Sequence, residues 1–179
     1  MKVIFIILCM TCIISAQTPS LSLQKTIKTQ VVDIKKFSGL WYEIARTYNS
    51  FEKDCVAATV EYMLTPDMDY KLINRCFDTV IGGDLIQYNG TAKIVNSNHS
   101  NQIKMTYYWF FTSSYNILYL DEDYSSAIIA DTEMEHVWIM NREPFMKKEK
   151  LNKLVSLLAD KLDTSKLIYT PQDSEGQYK

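Results

Sequence analysis

The residues able to make or break bonds are few in this sequence, and their spacing is poor for catalysis. His99 and His136 stand far apart, without the spacing of a metal site. No Gly-x-Ser-x-Gly, Gly-rich phosphate loop or His-Glu-x-x-His occurs. Beyond the N-terminal segment only Cys55 and Cys76 remain, and neither has an adjacent histidine to lower its thiol pKa. Two is an even number and suggests one disulfide in an oxidising compartment, with two buried free thiols as the alternative. No catalytic residue, metal or cofactor is therefore expected. The chemistry on offer is recognition. Tyr is abundant, at 12 of 179 residues, and apolar residues make up 47%, so aromatic surface with scattered hydroxyls is plentiful.

The elements that must position this surface begin after residue 16. Lys2 supplies a positive n-region, residues 3–14 an apolar h-region, and Ser15-Ala16 small residues for cleavage, the pattern of a secretory signal peptide. The apolar run is shorter than the roughly 20 residues that cross a bilayer, and no second run is longer, so no membrane span is expected. An alternative makes Cys12 the acylated residue of a bacterial lipoprotein, although Cys9-Met10-Thr11 before it is a poor lipobox. A net charge of -2 and a pI near 5.7 exclude the basic face that a nucleic-acid partner requires. Five glycines and four prolines are too few for a low-complexity chain.

Residues 17–36 read as a polar arm. From Trp41 onward the apolar positions alternate with period two, the pattern of half-buried strands. After a strand around 41–47 come Val56-Ala58-Val60-Tyr62-Leu64, Tyr70-Leu72-Asn74-Cys76, Ile86-Tyr88-Gly90-Ala92-Ile94 and Ile103-Met105-Tyr107-Trp109. Tyr115-Ile117-Tyr119, Ala127-Ile129 and His136-Trp138-Met140 complete a set of eight strands. Thr65-Pro66-Asp67, Gly82-Gly83 and residues 96–101 punctuate it. The predicted fold is all-β, an eight-stranded antiparallel up-and-down barrel, a size with room for one small ligand. The period then changes. Leu151, Leu154, Val155, Leu158 and Leu162 share one helical face, which predicts a C-terminal helix packed on the barrel wall. Leu167-Ile168-Tyr169 could add a ninth, edge strand.

Three segments in order carry a resemblance. Residues 37–46, with Gly39-Leu40-Trp41, resemble the G-x-W signature that opens the lipocalin barrel. Residues 120–124 resemble the second signature, with Leu120 where Thr is usual, and residues 138–142 resemble the third, ending in Arg142. The chain is similar in particular to the bacterial outer-membrane and apolipoprotein D-like branches, over roughly residues 35–172. The organisation expected is a signal peptide at 1–16, an arm at 17–36, a lipocalin domain at 37–172 and a polar tail at 173–179.

The resemblance assigns structural roles to Gly39, Trp41, Asp121 and Arg142, with the guanidinium over the indole face, a contact of ~0.5–2 kcal/mol. It turns inward the positions of Tyr62, Asn74 and Trp138. Period-two geometry then extends the ligand-facing set to Ala58, Val60, Leu72, Tyr88, Met105, Tyr107, Tyr115, Ile117 and Ile129. In the apolipoprotein D-like branch a cysteine at the Cys55 position pairs with one in the tail. The tail after Leu167 has none, so Cys76 is the remaining partner. A bridge between them would close a loop of about twenty residues near the open mouth, a contribution of ~3 kcal/mol.

The resemblance implies a secreted carrier, not an enzyme, that takes one small hydrophobic ligand such as a fatty acid or lysophospholipid, as a monomer or weak homodimer. One alternative is a bilin- or haem-type pigment binder, with His136 inward near the mouth. The other is a filled barrel whose loops bind a protein. Asn89-Gly90-Thr91 and Asn98-His99-Ser100 are N-glycosylation sequons, at Asn89 on the outward parity and at Asn98 in a loop.

Overall fold

The computed structural model describes residues 31–96 and 101–173. Alternating exposure shows how the sequence makes its strands. Lys71 and Lys93 are exposed beside buried Tyr70, Leu72, Ala92 and Ile94, so each strand offers one face to water and one to a core. Eight strands result: β1 (Gly39–Arg46), β2 (Cys55–Leu64), β3 (Tyr70–Asp78), β4 (Leu85–Asn96), β5 (Asn101–Tyr107), β6 (Phe111–Leu120), β7 (Ser126–Ala130) and β8 (Val137–Asn141). Each pairs antiparallel with the next, β8 pairs with β1, and β1 pairs with β2 through Gly39–Tyr62 to Tyr42–Thr59. The sheet thus closes on itself and leaves no long free edge.

Three strands break register, β1 between Glu43 and Ala45, β2 between Val56 and Thr59, and β6 between Ile117 and Tyr119. Such irregularities coil a strand and re-aim its side chains. The bulge in β1 parts it from β2 beyond Tyr42, and the C-terminal tail fills the gap. There β9 (Ile168–Tyr169) pairs with Ala45 and Arg46. Ala57 donates its N–H to the Pro171 carbonyl, and the Gln172 amide bonds the carbonyls of Glu43 and Ala58. The short ninth strand expected from Leu167-Ile168-Tyr169 is therefore a lath in the wall.

The C-terminal helix α2 (Lys148–Leu158) lies on the outside of the barrel. Leu154, Leu157 and Leu158 are buried against Tyr42, Ile44, Tyr119, Ile128 and Ile139, and each buried leucine contributes ~1.5–3 kcal/mol. Two local expectations need correction. Trp109 does not extend β5. The strand ends at Tyr107, and Trp109 sits in the β5–β6 turn, 94% exposed. The arm expected at 17–36 is structured where it is described. Val32 is buried in the interior cluster, and Ile34–Phe37 form a short helix, α1, capped by the Asp33 carboxylate. Four residues are too few for a helical period to register in sequence. Residues 1–30 and 174–179, hence the leader and nearly all of the polar tail, lie outside the described residues, as do Asn98 and His99.

Candidate functional site: the barrel interior and its open end

At the end where β1 begins, the barrel has a floor. Phe37 on α1 packs against Trp41 and Tyr62 with ring centroids 5.1 Å from each, and Tyr70 follows Tyr62 at 5.4 Å. Trp41 donates its indole N–H to the Phe37 carbonyl at 3.0 Å. Arg142 covers the outer face of that indole, 3.8 Å from the ring centroid, and donates to the carbonyls of Lys36, Phe37, Leu40 and Tyr124. It thereby satisfies the orphan carbonyls at the end of α1. Gly39 is obligatory here, because its φ is +98° and an added Cβ would stand 3.2 Å from Arg142 Nη1. Asp121 organises the β6–β7 turn, accepting bonds from Tyr119, Ser125 and Lys150, and these donors hold its carboxyl below the usual carboxylate range against the opposing effect of burial.

Going up from the floor, the interior loosens. Val60, Tyr62, Leu72, Ile117 and Ile129 are buried in the interior cluster, together with Ala92, Ile94 and Ile103, which the sequence reading left out of the ligand-facing set. Met105, Tyr107, Tyr115 and Trp138 pack on that cluster yet stay partly exposed. Tyr88 and Asn74, paired across β3 and β4, are likewise half-buried. Ala58 departs from the rest. It leaves the interior cluster and packs with Ile86 on the disulfide that joins Cys55 and Cys76, whose Cα atoms are 5.4 Å apart. Ala58 keeps the parity of Val60, beside the bulge at 56–59 where Ala57 has φ +50°.

Polar groups are set into this lining with care. The Asn74 amide donates to the Tyr107 hydroxyl at 2.6 Å. The Tyr107 ring reaches it by lying over Gly90, where a Cβ would stand 2.8 Å from the ring. Burial, opposed by the Asn74 bond, pushes the Tyr107 hydroxyl up to about 12, so it remains protonated. The Tyr62 hydroxyl is fully buried and finds no hydrogen-bond partner among the described residues. Tyr115 meets Trp138 edge-on at 5.3 Å.

Beside the open end lies a buried ionic network that sequence reasoning missed. Arg46 donates to Glu43 at 2.9 Å, to Thr170 at 3.1 Å and to the Glu52 carbonyl. Thr170 also donates to Glu43. Glu52 accepts from the Trp138 indole at 3.0 Å and from Asn49. Burial and then the neighbouring Glu52 raise the Glu43 carboxyl to about 8, with Arg46 opposing them. The Glu43 carboxyl therefore holds its proton near neutral pH. The available signal was Glu43 at inward parity two residues after Trp41.

His136 is oriented by two neighbours at the mouth. Its Nδ1 lies 2.7 Å from Asp131 Oδ2 and its ring stacks on Trp138. Among the described residues no group of three or more His, Cys, Asp or Glu side chains could hold a metal ion, and no helix is long and apolar enough to cross a membrane.

A closed up-and-down barrel with a Trp–Arg floor, a wall helix and a looser aromatic upper half is the architecture of a lipocalin. Residues 32–172 match the family model described as a lipocalin-like domain, and the chain belongs to that family. The family is one of carriers for small hydrophobic molecules and is typically non-enzymatic. An outer membrane lipoprotein, Blc, of Vibrio cholerae is 29% identical over 96% of this chain and 99% of its own length. Bovine apolipoprotein D is 30% identical over 78% of this chain and 77% of its own. Among solved structures, the cockroach allergen Per a 4 superposes with a TM-score of 0.63 at 21% identity, covering 82% of this chain and 92% of the allergen. Insecticyanin from the tobacco hornworm Manduca sexta gives 0.66 at 17%, covering 84% and 86%.

Proposed function

We propose that this lipocalin carries one small lipid, such as a fatty acid or lysophospholipid, with its apolar chain in the upper half of the barrel. The observation that carries the reading is the gradient of burial along the inward face. Trp41 and Leu72 near the floor are 1% exposed, whereas Asn74, Tyr88, Met105, Tyr107, Tyr115 and Trp138 point the same way and remain accessible. Apolar and aromatic walls with a few placed polar groups are the composition of a small-molecule pocket. These six residues are neutral, and the nearby Arg46 and Glu43 are engaged with each other, so a ligand's charged head stays at the mouth while its chain enters. The Asn74–Tyr107 pair is what would meet a polar atom inside. The matched relatives include outer membrane lipoproteins, and the Cys55–Cys76 bridge fits an oxidising compartment. Both support release across a membrane after removal of residues 1–16, with lipid anchoring through Cys12 as the variant form. Asn89 and Thr91 are exposed on β4, and glycan attachment at Asn89 is part of the same proposal.

Native mass spectrometry of the mature oxidised protein, followed by lipid extraction, tests the reading. One bound lipid per chain is the expected result. An empty barrel that also refuses a fluorescent fatty acid overturns it and favours a filled barrel acting through its loops. A coloured ligand in the absorbance spectrum would move the assignment to a pigment carrier.

A further inference from the structure

Three of the four loops around the mouth are tipped with exposed hydrophobic side chains. β1 rises from the floor, so the β1–β2, β3–β4, β5–β6 and β7–β8 connections all lie at the open end. On the first, Tyr48 is 61% and Phe51 78% exposed, and on the second Val80 is 60% exposed. On the third, Tyr108, Trp109 and Phe110 are 59%, 94% and 65% exposed. Exposed hydrophobics scattered singly need no explanation, but a ring of them on separate loops at one end does.

The backbone of the third loop points the same way. The Phe110 N–H donates to the Tyr107 carbonyl, and the two residues between, Tyr108 and Trp109, have φ of +49° and +54°. Positive φ at both centres is a type I′ turn, which strongly favours Asn-Gly because side chains are strained there. Two of the bulkiest side chains occupy these positions instead, so the turn holds aromatics out into solvent at a conformational cost. Strain of this kind persists where a site needs it.

We propose that the mouth docks on an uncharged, zwitterionic lipid surface, with Trp109 and Phe110 entering the interface and Phe51 and Val80 beside them. Three features choose this occupant. Aromatic side chains with a polar edge settle at the headgroup level of a bilayer. Prongs on separate loops suit a fluid surface that closes around each of them, where a protein partner would need a matching socket for each. Charge decides the rest. The four loops carry Glu52, Asp54, Asp84, Asp131, Glu133 and Glu135 against Lys53. An anionic leaflet is therefore repelled, and so is the acidic mouth of a second copy. The docking stands on the loops alone. That it loads or unloads the interior rests on the carrier reading above.

The test is flotation of the full mature protein with phosphatidylcholine vesicles, with and without phosphatidylserine, and tryptophan quenching by brominated phosphatidylcholine. The wild type should float with phosphatidylcholine and be quenched, and phosphatidylserine should not strengthen binding. Trp109→Ser/Phe110→Ser should partition on the order of tenfold less while still taking up a fluorescent fatty acid in solution. Tyr108→Asn/Trp109→Gly, which restores the favoured turn chemistry, should lose vesicle binding with its melting temperature held or raised. Absence of wild-type flotation, flotation of both variants equal to that of the wild type, or binding that requires phosphatidylserine overturns the proposal. A concentration-dependent dimer abolished by the same substitutions, without flotation, overturns it in favour of a second copy. Loss of fatty-acid uptake by wild type with flotation intact would instead sink the carrier reading and leave the docking standing.

Discussion

The two ends of the barrel are built from the same strands and obey different rules. At the floor, Phe37, Trp41, Tyr62, Tyr70 and Leu72 are buried and in ring contact or close packing, and Arg142 seals them from outside. At the mouth, inward side chains are half-covered, hydroxyls and an amide replace methyl groups, and the loops carry exposed aromatics. A close-packed interior is worth most to stability, and a site that must admit a guest cannot be close-packed. The molecule separates the two demands by height along one sheet. Stability therefore belongs to the floor, and in the carrier reading proposed above recognition belongs to the mouth.

Substitutions should reproduce that division. Trp41→Ala is the most damaging, removing a fully buried ring and the seat of Arg142. A loss of ~3–5 kcal/mol is expected, seen as a fall of on the order of 10 °C in Tm by calorimetry. A small change there would mean the floor is not the stable end. Next comes Cys55→Ser/Cys76→Ser, which opens a loop at the mouth and should cost ~3 kcal/mol by denaturant titration. It bounds the comparison, since the mouth needs a covalent staple where the floor uses packing.

Glu43→Gln acts through pH. The folded-state pKa lies near 8, above the ordinary carboxylate range, so the folded chain holds a proton that the unfolded chain releases earlier. Stability from this group is complete at acid pH and declines as pH rises toward and through 8. Wild type and variant should therefore differ least below the ordinary carboxylate pKa of 4.5, with the variant progressively the more stable up to about pH 8 and the gap constant above it. A constant gap across that range would remove Glu43 as the titrating group. The smallest effect is expected of Tyr107→Phe, which leaves the Asn74 amide without its acceptor at a half-exposed site. About 1 kcal/mol or less should be lost in chemical denaturation, together with selectivity among ligands differing in an internal polar atom.

Sequence and structure agree where local signals are strong. Eight alternating segments, the Gly39-Leu40-Trp41 turn and Arg142 were legible because period two and special backbone geometry leave local marks. The ionic network was not. Arg46 and Glu43 meet Thr170 across more than 120 positions of chain, and period two from Trp41 and Glu43 would turn Arg46 outward, whereas the bulge after Glu43 turns it inward. Trp109 was misread for a related reason, since an aromatic run continues the strand alternation while a turn of two left-handed residues without glycine carries no familiar signature. Ala58 obeyed its parity but met the disulfide, a contact set by a residue on another strand.

A guest carried as proposed should occupy the upper half of the interior and leave the floor untouched. Tryptophan fluorescence can separate the two, because Trp41 lies in the floor and Trp138 in the upper wall. In a Trp109→Ser background, titration with a brominated fatty acid should quench part of the emission and saturate at one equivalent. The quenching should vanish when Trp138→Phe is added, leaving Trp41 emission unchanged. Quenching that persists in the Trp138→Phe protein, or none in its parent, would contradict the account.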